Sequence, residues 1–193
     1  MRSAWTAVGA AVICLLAAGS ASAQNRIENS EFDTDVSGWF PGPGDLLGWD
    51  PMDWQGSPSS GSARLTADGA SQIASAYTIS CMPAGLLQME LFGRIRFAGG
   101  QAGQGAAWMG LTTFDDPGCA GVYSSAPTAT VFSSTPDTWV PVSIPSTGGG
   151  VFMRVSLVLI WTGGAGPVSV LFDHVIAGPV GTTPVALRSF AVE

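Results

Sequence analysis

The feature that most constrains this chain is a recurring one: short apolar segments with two-residue alternation, each closed off by glycine or proline. From Leu87 to Phe97, the residues Leu87, Met89, Leu91, Ile95 and Phe97 are apolar, while Gln88, Glu90, Arg94 and Arg96 between them are polar. Successive side chains of a strand point to opposite faces, so this is a strand with one buried and one wet face. Gly93 then marks a bulge or a close contact. Weaker segments of the same kind cover 63–67, 72–79, 106–114, 138–144, 151–161 and 168–177. Turn-forming clusters separate them at 56–61, 98–105, 115–118, 145–150 and 163–167. With 26 glycines and 13 prolines in 193 residues, and no apolar run at helical spacing behind a capping box, helices have little to build on. The expected fold is all-β: a two-sheet, mostly antiparallel β-sandwich. Segments 151–161 and 168–177 are apolar on both faces and are expected at the centres of their sheets.

The first residues obey a different rule. Met1 and Arg2 give a positive start, Ala4 to Gly19 is almost wholly apolar, and Ala21-Ser22-Ala23 supplies the small residues a signal peptidase reads. This predicts a signal peptide over 1–23, cleaved before Gln24, and a secreted protein, extracellular or periplasmic. The apolar run is shorter than the roughly 20 residues a spanning helix needs. About 170 residues remain, enough for one domain over 24–178. Residues 179–193 read as an exit segment or a late edge strand.

All seven basic residues are arginine, set against 14 acids, and only 11% of the chain is charged. An acidic chain without a basic run repels phosphate backbones and anionic lipid, which argues against nucleic acid and membrane surfaces as partners. Of three cysteines, Cys14 leaves with the leader. Cys81 and Cys119, in an oxidising compartment, most simply form one disulfide. A metal or redox pair is the competing reading, weakened by a single histidine and the lack of a Cys-x-x-Cys motif.

The order of these segments matches a known pattern. The opening RIENSEFDTDVSGW, with Asn29, Phe32-Asp33 and Gly38-Trp39, resembles the first strand and turn of the galactose-binding-like jelly rolls. The likeness is greatest to carbohydrate-binding modules of families four, nine and twenty-two. SGSARL, the 88–97 strand, DTWVPVSI around Trp139 and VLFDHV extend it over most of 24–177. The resemblance implies a jelly roll, with a structural calcium ion tying the first-strand region to the last strand. Asp33 and Asp173 are the carried-over ligands, and hard oxygen donors of this kind suit calcium. Asp173-His174 stands where the family has an acidic pair, so one carboxylate is missing. Unbroken alternation would also put Val168, Val170, Phe172, His174 and Ile176 on one face and Asp173 on the other. Asp173 acting only as a backbone hydrogen-bond acceptor is the alternative. Trp39 and Trp139 match recurrent family positions and are expected to pack in the core.

Sugars present a flat C–H face that packs on an aromatic ring, while polar side chains take the hydroxyls. WDPMDWQ supplies both: Trp49 and Trp54 flank Asp50, Asp53 and Gln55. These five are the expected ligand-binding residues; a Trp plugging the sandwich end beside decorative acids is the bland alternative. Trp108 and Trp161 are either core residues or a platform on a sheet face, with Tyr77 and Arg94 as candidate partners. His174, alone in an apolar strand, reads as a packed residue. Without a Gly-x-Ser-x-Gly elbow or a zinc ligand set, and with Asp50 and Asp53 in one loop, no catalytic centre assembles. The expectation is a non-catalytic binding module for a polysaccharide or glycan. A structural or adhesive envelope protein is the alternative, and a small glycan-active enzyme a lesser one.

Overall fold

The computed structural model describes residues 25–182. The expected leader, and the tail beyond Thr182, lie outside them. Twelve strands follow in order: β1 (Trp39–Pro41), β2 (Leu46–Asp50), β3 (Ser62–Ala67), β4 (Ile73–Thr78), β5 (Met82–Pro83), β6 (Met89–Phe97), β7 (Gly103–Phe114), β8 (Val122–Pro127), β9 (Val131–Phe132), β10 (Val140–Thr147), β11 (Phe152–Gly164) and β12 (Val168–Pro179). They form two antiparallel sheets. The larger has the order β1-β4-β11-β7-β8, with β5 on β11 and β9 on β7; the smaller has the order β10-β6-β12-β3-β2.

Two-residue alternation decides what goes inside. On β11, Met153, Val155, Leu157 and Leu159 are fully buried; on β6, so are Met89, Leu91, Ile95 and Phe97. Phe32, Leu65, Met109 and Phe172 complete the layer between the sheets. Each such side chain contributes about 1.5–3 kcal/mol of burial. β11 and β12 lie at the centres of their sheets, as their two-faced apolarity required.

β12 does not keep its phase. Asp173 pairs with Arg94 and Ile176 with Phe92, so His174 and Val175 together stand opposite Gly93. His174 takes a positive φ of 51° to make this bulge. The extra residue turns Val175 inward and Ile176 outward, correcting the single unbroken face expected from sequence. Gly93 fits the bulge because a Cβ there would lie 2.5 Å from the Met109 methyl.

A Cys81–Cys119 disulfide, with Cα atoms 5.6 Å apart, joins the segment before β5 to the turn after β7. Trp39 is a core residue, as expected, whereas Trp139 is only half-buried at the start of β10. At the other edge of the fold, residues 25–26 run beside the last strand: Arg26 N–H donates to Ala177 O (2.8 Å), and Ala177 N–H to Asn25 Oδ1 (3.0 Å).

Candidate functional site

In WDPMDWQ, Trp49 packs against the core from β2, and the residues after it close over the outer face of the smaller sheet. Trp49, on β2, donates its indole N–H to Phe32 O at 2.7 Å and lies so close to Gly61 that a Cβ there would overlap the ring. Asp50 pairs with Arg64 (3.2 Å) and accepts from Met52 N–H. Asp53 is buried, its Oδ1 taking the N–H groups of Gln55 (2.7 Å) and Ser57 (2.8 Å). Trp54 carries the Arg94 guanidinium 3.8 Å above its ring and packs against the His174 ring at 5.0 Å. Gln55 alone of the five is exposed. The segment is therefore brought together as sequence suggested, but its two indoles are engaged by the protein itself.

Asp173 lies beneath this segment with no exposed surface. Its Oδ2 accepts Trp54 N–H at 2.9 Å and its Oδ1 accepts His174 N–H at 2.6 Å. Burial pushes its carboxyl up to about 7; the two N–H donors oppose this, and the neighbouring Asp53 and Glu31 charges reinforce it. Burial likewise holds the Arg94 guanidinium below its ordinary value, with Asp173 opposing. His174 Nδ1 meets Glu31 Oε1 at 2.7 Å, tying the first-strand region to the last strand through an imidazole and a carboxylate.

A calcium ion held by Asp33 and Asp173 does not suit this arrangement. Asp33 is exposed, whereas Asp173 is sealed under the 50–57 segment with both oxygens engaged. The carboxylates acting on Asp173 are Asp53 and Glu31. Among the described residues, no group of three or more His, Cys, Asp or Glu side chains converges on a metal position.

The opposite surface of the molecule, the outer face of the larger sheet, is built otherwise. The alternation that sends Met109, Leu111, Val155 and Leu157 inward sends Trp108, Gly110, Arg154, Ser156 and Val158 outward. Register sets them in rows. Trp108 stands across from Val158, and Val158 from Ser75. One step of about 7 Å along the strands, Gly110, Ser156, Tyr77 and Phe40 form the next row. A further step brings Thr112, flanked by Arg154 and Ser125. Trp108 is half-buried, Tyr77 is exposed and Phe40 more than half exposed. Gly110 and Ser156 keep the floor between the rings low. At one end this face reaches an open cleft of about 370 Å³, whose lining includes Gln104, Phe132, Ser134 and Thr162. Asp45 pins the β1–β2 turn to β4 by accepting from Ser75 N–H and Oγ–H (2.8 and 2.9 Å).

Sequence reasoning left Trp108 between core and platform, and the register resolves it as outward-facing. Tyr77 shares this face. Arg94 lies on the other sheet, and Trp161 is tied to Gly166 O through its indole N–H at 3.1 Å. Phe40, Ser156 and Arg154 were missed. The available signal in the otherwise apolar 151–161 segment was Arg154 and Ser156, since an all-core strand has no use for an arginine and a serine on its second face.

No protein-family model matches the chain, and no curated protein is significantly similar to it. Solved structures are. The family 22 carbohydrate-binding module of Clostridium thermocellum Xyn10B superposes with a TM-score of 0.51 at 13% identity, covering 80% of this chain and 93% of that one. TmCBM61, solved with β-1,4-galactotriose, gives 0.53 at 13% identity and covers 81% and 99%. A tailspike enzymatically active domain of bacteriophage CBA120 gives 0.55 at 14%, but this chain spans only 21% of its length. The chain thus has the jelly-roll fold of the β-sandwich carbohydrate-binding modules.

Proposed function

We propose that this protein is a secreted, non-catalytic carbohydrate-binding module that docks a polysaccharide on the outer face of the larger sheet, centred on Trp108. One observation carries the reading. Trp108, Tyr77 and Phe40 stand outward over a low floor of glycine and serine, with Thr112 and Ser125 hydroxyls at its end. Aromatic rings offer the apolar half of a sugar contact, and hydroxyls the polar half. The fold supports the reading, since its solved neighbours include modules described as binding xylan or galactotriose.

The test separates this face from the WDPMDWQ segment. Isothermal titration of a polysaccharide panel against the wild type, Trp108→Ala and Trp54→Ala should show binding lost in the first variant and retained in the second. Trp54→Ala should lower the melting temperature instead, because its ring holds Arg94 and His174. Equal loss in both, or in Trp54→Ala alone, would return the site to the loop. A second reading has its own support: Phe40, Ile73 and Phe132 are each more than half exposed on this face or its rim. Such apolar surface also suits a protein partner in an adhesive envelope. Failure of the whole panel, with self-association that Phe40→Ser abolishes, would favour it.

A further inference from the structure

Four arginines sit on strands, and three have evident work. Arg64 pairs with Asp50 at 3.2 Å and Arg96 with Asp137 at 2.9 Å, while Arg94 lies on the Trp54 ring. Arg154 does none of these. It points outward from β11 in the row of Thr112 and Ser125, on the same face as Trp108. Among the described residues it meets no carboxylate at ion-pair distance, and its Nε is buried without an acceptor.

Arg94 Nε and Arg96 Nη1 are orphaned in the same way, but a half-buried guanidinium with no carboxylate or ring partner is expensive in a chain that carries twice as many acids as bases. The fold had carboxylates to give it and placed them elsewhere. Its fork of parallel N–H donors matches a carboxylate in geometry as well as charge. Thr112 and Ser125, already hydrogen-bonded to each other at 3.0 Å, stand beside it as further hydroxyl partners. The Thr112 row lies four residues along β7 from Trp108, about 13 Å. A short oligosaccharide stacked on Trp108 spans that distance.

We propose that the Trp108 face selects glycans bearing carboxylates, the uronic-acid polysaccharides, and that Arg154 reads the carboxylate. The inference rests on the platform reading above, and its test keeps the two apart. A panel of uronans (galacturonan, alginate and glucuronan) is titrated beside the same polymers with their carboxyls reduced to alcohols. The titrations use 0.15 M salt, where the Debye length of about 8 Å limits long-range repulsion by the acidic remainder of the chain. At least one uronan should bind about tenfold more tightly than its reduced form. Arg154→Gln should erase that difference while leaving the weaker, reduced-form affinity in place. Trp108→Ala should abolish both. Equal affinity for the two forms, a preference that survives Arg154→Gln, or no binding to any uronan overturns the proposal. Neutral glycans that bind in a Trp108-dependent way would in that case leave the platform itself standing.

Discussion

Replacing Asp173 by asparagine probes the most strained electrostatic feature of the fold. Burial raises this carboxyl from 3.8 to about 7. Between about pH 4 and pH 7 the folded chain therefore holds a proton that the unfolded chain has released. Each pH unit in that window costs about 1.4 kcal/mol of stability from this group. The contribution is complete below pH 4, declines as pH rises, and is gone above pH 7, a total of about 4 kcal/mol. Asn cannot titrate, but its amide leaves the N–H of either Trp54 or His174 facing another donor, at about 1–3 kcal/mol. Asp173→Asn should thus be less stable than the wild type at pH 4.5 and equal or better at pH 7.5. Urea unfolding of both proteins at several pH values measures this as a difference, in which every other titrating group cancels. Asp35 and Asp68, whose hydrogen-bonded carboxyls are shifted down, act in the opposite sense but equally in both proteins. A wild-type minus variant difference that stays flat from pH 4.5 to 7.5 would refute the reasoning.

Other outcomes follow from the same geometry. His174→Ala removes the Glu31 pair and the contacts with Trp54 and Phe92; it should cost about 1–3 kcal/mol, seen as a melting temperature lower by several degrees. Opening the Cys81–Cys119 bridge by paired serine substitutions frees a loop with sequence separation 38 and should cost about 4 kcal/mol by denaturant titration. Gly93→Val drives a branched side chain into Met109 opposite the bulge and should destabilise by about 1–3 kcal/mol, with sugar binding intact when folded. Chelator should leave the melting temperature unchanged, because Asp173 is satisfied by backbone N–H groups; a calcium-dependent drop would refute this reading of Asp33 and Asp173.

Much of the fold was legible because its longer strands carry their own signal. All seven alternating segments appear as strands, and the two-faced apolarity of 151–161 and 168–177 located the sheet centres. The short edge strands were not legible. β2 reads LLGWD and β8 reads VYSSAP, and neither buries a clean face. The bulge at His174 was foreshadowed only by Gly93 on the neighbouring strand. The site was harder still. Local sequence says that Trp49 and Trp54 sit among acids, but not that Arg94, forty residues on, covers one of them. Trp108 became interpretable only through its row, and rows are set by hydrogen-bond register between β7, β11 and β4, which no single segment encodes.

Because residues 25–26 lie alongside 175–177, the described residues begin beside the same strand, β12, on which they come to an end. A body with adjacent ends can be spliced into a surface loop of another protein without prising the host apart, much as a plug fits a socket. Grafted so, or fixed to a bead through either end, it would keep the Trp108 face clear of the attachment point whenever the host lies on the side of the last strand.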